Sequence, residues 1–272
     1  MHFHDYFLLI GAAIAAGAVN AVAGGGTLLT FPALLGAGQS AIMANATSTV
    51  ALWPGALSSF WGYRAELRSG RWELAALAIP SFLGGLLGAM LLVNTNSATF
   101  ALLVPYLILL ATVLFMAQGP LARWQAQRTA RTAGSSELTP AAELEHDQPA
   151  TPARWITVLL FQFCVGVYGG YFGAGIGILM LAAFGYLGFK NIHHMNALKN
   201  LNGMCINGLA AALFIVHGLV DWRAAAVMAA GAVFGGYAGA GTARRIGQKA
   251  VRRIIILIGL ALSVWLLLRQ ML

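Results

Sequence analysis

Gly17–Gly36, GAVNAVAGGGTLLTFPALLG, is apolar enough for lipid, yet glycines break it where a spanning helix should continue. A second copy, GVYGGYFGAGIGILMLAAFG, runs from Gly166 to Gly185. At one constant offset, Gly17, Gly24, Gly26 and Gly36 fall on Gly166, Gly173, Gly175 and Gly185. Two glycine-interrupted apolar helices half a chain apart predict a membrane transporter built from two repeats.

Composition points the same way. The 272 residues are 59% hydrophobic and only 9% charged, whereas a soluble domain carries about a quarter of its residues charged. Such a chain cannot cover a water-facing surface, so an integral membrane protein is expected. The formal net charge of +8 does not point to nucleic acid, because the basic residues sit in short loops between apolar runs. Cys164 and Cys205 lie inside apolar runs without ligand spacing and read as small buried hydrophobes. His2 and His4 do not make a metal site. No nucleophile–base pair, phosphate loop or cofactor motif is present, so neither an enzyme nor a cofactor or metal is expected.

Ten apolar runs are visible, five in each half. They are Tyr6–Val22, Leu28–Leu35, Ala41–Tyr63, Trp72–Val93 and Ala98–Gln118, then Trp155–Phe172, Ile176–Leu187, Met195–Val216, Ala224–Ala243 and Val251–Leu268. Leu28–Leu35 and Ile176–Leu187 are too short to span and predict half-helices, with glycines at their tips. Residues 1–118 and 154–272 form the two repeats. Residues 119–153, Pro/Ser/Ala-rich and acidic, form a flexible linker.

Arg64, Arg68 and Arg71 place the loop after the third segment in the cytoplasm, and Asn94–Ala98, without charge, outside. In the second half Lys190 precedes the third segment, the loop after it is nearly neutral, and Arg244, Arg245, Lys249, Arg252 and Arg253 precede the last helix. Corresponding loops face opposite sides. The expected fold is therefore all-α and polytopic, with two inverted five-segment repeats, glycine-broken re-entrant half-helices and both termini outside.

Broken helices in a bilayer leave backbone groups that only protein or a polar cavity can satisfy. The half-helices from Thr27 and Ile176 should aim their N-terminal N–H groups at the point where the breaks meet, which favours an anion. The bland alternative is that the glycines only permit close packing. No Asp or Glu lies mid-membrane, which argues against a cation or proton site. Asn196, Lys199, Asn200, Gly203 and Asn207 form a polar stripe at helical spacing, with Asn45, Thr49 and Ser59 as its weaker counterpart. Lys199 reads either as an anion contact or as a snorkelling side chain. The expected substrate site is Asn20, Gly24, Gly25, Gly26, Thr27, Asn45, Thr49, Gly173, Gly175, Asn196, Lys199, Asn200 and Asn207. His193 and His194 read as interface residues, with pH gating the sharper alternative. Trp53, Trp61, Trp72, Trp155, Trp222 and Trp265 read mostly as belt residues near segment ends.

The stretches AVNAVAGGGTLLTFPALL, GGYFGAGIGILMLAAFGYLG and NALKNLNGMCINGLAAALFIVHGLVDW resemble the TauE/SafE family of sulfite and organosulfonate exporters. The resemblance covers nearly the whole chain apart from the linker. It implies a bacterial inner-membrane permease exporting small sulfur oxyanions such as sulfite or sulfoacetate, with Gly24–Gly26 and Gly173–Gly175 as its glycine motifs. The expected partners are a small anionic substrate and membrane lipid, with a homodimer left open. An anion channel and a non-transporting assembly partner are the alternative classes.

Overall fold

A computed structural model describes residues 3–22, 25–63, 71–133, 151–189, 191–246 and 248–271. Every regular element among them is a helix: α1 (Phe3–Val22), α2 (Thr27–Gly36), α3 (Ala41–Tyr63), α4 (Arg71–Asn94), α5 (Ser97–Ala133), α6 (Pro152–Tyr171), α7 (Ile176–Leu187), α8 (Ile192–Val216), α9 (Trp222–Ile246) and α10 (Gln248–Met271). Four stretches, Trp72–Asn94, Ser97–Ala117, Pro152–Tyr171 and His194–Val216, are each long and apolar enough to cross a bilayer. Large apolar side chains also cover the outer surface: Leu257 is 66%, Leu160 64% and Phe234 63% exposed. An exterior of that kind is solvated by lipid, so the chain is a multi-pass membrane protein.

α2 and α7 fall where the short apolar runs predict them. α2, with 10 residues, is about 15 Å long, half of a hydrocarbon core of about 30 Å. Each short helix turns back along the helix before it. A Cβ on Gly36, at the end of α2, would lie 3.9 Å from Leu8 of α1. Arg154, at the start of α6, stands 5.9 Å over the ring of Tyr186 near the end of α7.

Glycines bring two pairs of helices into backbone contact. Along α1 and α9, a Cβ on Gly17 would collide with the Ala232 carbonyl, and one on Gly235 with the Ile14 carbonyl. Along α4 and α6, a Cβ on Gly84 would strike the Phe163 carbonyl, on Gly88 the Val167 carbonyl, and on Gly170 the Gly85 carbonyl. Gly17 and Gly166, the first glycines of the repeated stretch, therefore serve close packing rather than the break.

The same contacts fix helix directions. Positions 10, 14 and 17 of α1 meet 231, 235 and 236 of α9 in ascending order, so these helices are parallel. α3 runs with α9, since Thr47 meets Asp221 and Leu52 clusters with Ala232. α4, α6 and α8 are mutually parallel through 84–163, 88–167, 81–202 and 85–206. The C-terminal end of α8 leads through Asp221 to the start of α3, while Trp53, further along α3, bonds back to Met204. α1, α3 and α9 therefore run against α4, α6 and α8. The chief packing pairs also exchange under renumbering, with α1 on α9 answering α6 on α4.

Two expectations are corrected. α5 continues as helix to Ala133, past the apolar run that ends at Gln118; helix propagation does not stop where hydrophobicity does. Cys164 is exposed and Cys205 half-buried, because an apolar residue in a lipid-facing position has no need of the protein interior.

Candidate functional site

The two breaks come together against α5. At the first, Gly25 has φ +98° and the Phe115 ring occupies the place a Cβ would need. At the second, Gly173 and Gly175 have φ +83° and +81°, and Gly175 rests near Leu114 and Ala111. Only glycine adopts such backbone without strain. Gly26 differs from its offset partner Gly175: its φ is −54°, and its N–H donates to Asn20 Oδ1 at 2.7 Å. Gly24 lies outside the described residues.

Between the breaks lies a cavity of about 130 Å³. That is far below the roughly 300–1,000 Å³ of pockets for drug-sized ligands, and above the volume one water fills. It suits a small solute. Of the expected site residues, Asn20, Gly25, Thr27, Thr49, Gly173, Gly175, Lys199, Asn200 and Asn207 line it. They come from four helices and both breaks, positions far apart in the chain.

Lys199 is placed by two contacts. Its methylenes cross Gly177, where a Cβ would sit 3.1 Å from Lys199 Cδ. Its Nζ donates to Asn196 Oδ1 at 3.1 Å. No carboxylate pairs with it among the described residues, whose acids, Asp5, Glu73 and Asp221, stand at the starts of α1, α4 and α9. The N–H groups of Ile176 and Gly177, in the first turn of α7, have no acceptor among the described residues. An ammonium beside a helix N-terminus makes a positive pole, and an anion there offsets the cost of holding a charge away from bulk water.

Three expected residues stand behind the lining. Asn45 is 1% exposed; its Nδ2 donates to the Tyr171 carbonyl at 3.0 Å, tying α3 to the end of α6. Asn196 holds Lys199, and Gly26 is closed in by Ala16 and Asn20. Helical spacing placed Asn45 and Asn196 on a polar stripe, but the neighbouring helix decides whether a stripe residue meets a cavity or a backbone. The side chains of Ser59 and His193 lie outside the described residues. His194 lies 3.6 Å from Glu73, linking the starts of α8 and α4.

Sequence reasoning missed Trp53, Gly177, Met180 and Met204, all of which line the cavity. Trp53 reads as a belt residue only if its segment ends near it. α3 continues to Tyr63, which puts the indole inside the bundle. Its position mid-run was the available signal.

Comparison with known proteins identifies the family. The family model described as "Sulfite exporter TauE/SafE" matches residues 9–266. The chain belongs to the TauE/SafE family. It is similar to a probable membrane transporter protein of Haemophilus influenzae, 28% identical over 90% of this chain and 88% of that one. It is also similar to the probable membrane transporter protein YfcA of Escherichia coli K12, 30% identical over 94% and 87% of the two chains. A probable membrane transporter protein, ORF9, of a Sinorhizobium species is 24% identical over 97% and 93%. No solved structure matches the chain. This TauE/SafE chain is a membrane transporter.

Proposed function

We propose that the protein is a secondary transporter of small sulfur-containing anions, sulfite or an organosulfonate such as sulfoacetate, working by alternating access in the export direction. The observation that carries this reading is the Lys199 ammonium. Among the described residues it sits without a carboxylate in a cavity lined by both glycine breaks, next to N–H groups at the start of α7 that have no acceptor there. The family description supports a sulfur oxyanion. Asn20, Thr27, Thr49, Asn200 and Asn207 would supply neutral amide and hydroxyl contacts, and no catalytic step is assigned to them.

The halves are read as inverted repeats: α1, α3 and α4 run against their counterparts α6, α8 and α9, which supports a two-fold axis in the membrane plane. α1–α2 and α6–α7 are read as re-entrant hairpins, supported by the return of Gly36 to Leu8 and of Tyr186 to Arg154. The loop arginines favour both termini outside a bacterial inner membrane. Gln270 of α10 donates to the Ala101 carbonyl near the start of α5, close in sequence to the uncharged 94–98 loop, which supports that reading for the end of α10.

The test is efflux from liposomes holding the full-length protein and loaded with sulfite or sulfoacetate. Saturable efflux is expected, strongly reduced in Lys199→Ala and Asn200→Ala. Unchanged efflux in both variants would remove the site assignment, and unitary currents in a planar bilayer would replace the transporter with a channel.

A further inference from the structure

Thr49, Trp53 and Ala56 of α3 stand at one constant offset from Asn200, Met204 and Asn207 of α8, and all six line the cavity. One turn back, the same offset sets Ser48 on Lys199 and Asn45 on Asn196. In the second half that turn carries a cation, with Lys199 Nζ donating to Asn196 Oδ1 at 3.1 Å. In the first half it carries none. Ser48 is sealed from solvent together with Thr30 of α2, their hydroxyl oxygens 2.6 Å apart. Asn45 Nδ2 donates to the Tyr171 carbonyl, and the buried Asn45 Oδ1 has no donor among the described residues. The Tyr171 carbonyl can only accept, which fixes that end of the amide as nitrogen, so the orphan atom is an oxygen.

Counting hydrogens leaves only acceptors. Thr30 gives its one hydroxyl hydrogen to the Gly26 carbonyl at 3.2 Å, so Ser48 donates to Thr30. Tyr171 ends α6, and its carbonyl receives no backbone N–H among the described residues, so it belongs to the negative end of that helix. Asn45 and Ser48, three residues apart on α3, share a face. A water donates to two such oxygens at most, whereas a cation engages every lone pair it reaches. We propose that Asn45 Oδ1, Ser48, Thr30 and the Tyr171 carbonyl hold an alkali-metal cation such as Na⁺, at the place where the other half carries the Lys199 ammonium. A shell without carboxylates suits one charge rather than two. Backbone carbonyls and the C-terminal ends of half-helices serve Na⁺ in transporters with broken helices. None of the four groups titrates near neutral pH, so a proton is not the ligand. The missing buried acids thus count against divalent and proton sites, but not against this one. The site stands beside the cavity, since Thr49 lines it and donates to the Asn45 carbonyl at 2.9 Å.

The experiment follows the thermal midpoint of the full-length protein in detergent as NaCl replaces choline chloride at constant ionic strength. Wild type is expected to rise by about 4 °C for each tenfold increase in Na⁺ above its Kd. Thr30→Val keeps the side-chain shape and removes one oxygen, and should need about 10-fold more Na⁺ for the same rise. Thr30→Ser keeps that oxygen and should respond as wild type does, which separates a lost ligand from a damaged fold. Lys199→Ala should keep the Na⁺ response, because the cation shell does not include it. A wild-type midpoint that is the same in Na⁺ and in choline would overturn the proposal and leave Asn45 Oδ1 to a water. A Na⁺ response unchanged in Thr30→Val would overturn it as well, since the ion would then bind elsewhere. The anion reading is tested apart from this one: a protein that responds to Na⁺ and binds no sulfoacetate would keep the cation site and lose the anion site.

Discussion

The two glycine breaks sit at matching places in the chain and are secured by opposite chemistry. At the first, an acceptor does the holding: Asn20 Oδ1 takes the Gly26 N–H at 2.7 Å. At the second, a donor does it: the Tyr168 hydroxyl gives its hydrogen bond to the Ala174 carbonyl at 2.8 Å. The first break thus uses up an N–H group at its half-helix. The second satisfies a carbonyl. Among the described residues Thr27 N–H at the first half-helix and Ile176 and Gly177 N–H at the second have no acceptor, and all three residues line the cavity, but Lys199 stands beside the second only. The ammonium of Lys199 therefore marks one break and not the other. Repetition supplies the architecture, and departures from repetition supply the chemistry.

The broadest way to break the comparison is at the shared scaffold. Gly88→Val and Gly235→Val insert side chains against the Val167 and Ile14 carbonyls in the two matching helix pairs. Each is expected to cost about 3 kcal/mol, seen as a loss of monodisperse protein on size exclusion and a lower thermal midpoint. If only one variant suffers, the two interfaces are not equivalent in energy.

Next in size is the asymmetry itself. Lys199→Ala removes a charge-assisted contact and should weaken anion binding about 30-fold, or about 2 kcal/mol, with the apo protein no less stable than wild type. Calorimetry and a melting curve on the same sample separate the two effects. A destabilised apo protein would mark Lys199 as structural.

Gly26→Ala and Gly175→Ala sharpen the contrast between the breaks. At Gly26 the backbone tolerates alanine, but the Cβ would lie 2.8 Å from the Ala16 carbonyl and from Asn20 Nδ2, for an expected loss of about 2 kcal/mol. At Gly175 there is room, the nearest atom being Leu114 Cδ1 at 3.5 Å. Only the left-handed φ of +81° penalises alanine there, by about 1 kcal/mol. Equal losses in chemical unfolding would contradict this division of causes.

The smallest effect is expected from Tyr168→Phe, which leaves the buried Ala174 carbonyl without its donor and should cost about 1 kcal/mol. Anion affinity should change less than in Asn20→Ala, since Asn20 lines the cavity and Tyr168 acts from behind it. The reverse ranking would show that the second break controls the site through its backbone.

Much of this was legible before any contact was known. Glycine clusters in apolar runs located both breaks, and the short runs after them located α2 and α7, because lipid leaves so few ways to satisfy a backbone. The absence of acids from the interior runs and the lone Lys199 are what the anion-site proposal takes from the sequence. Asn45 and Asn196 show the limit. Periodicity tells which residues share a face of one helix, but not what covers that face, and here the Tyr171 carbonyl and the Lys199 ammonium do.

By itself the sequence determined that this chain lives in a membrane, where its helices are interrupted, and that its centre is positive rather than acidic. These are properties of composition and local backbone chemistry. Only the tertiary structure decided that Gly17 and Gly166 pack while Gly25, Gly173 and Gly175 turn, that Trp53 stands in the cavity, and that the two breaks are held by opposite partners. Each of those depends on which side chain a distant helix presents at the same place, and such long-range pairings are written nowhere in the local pattern.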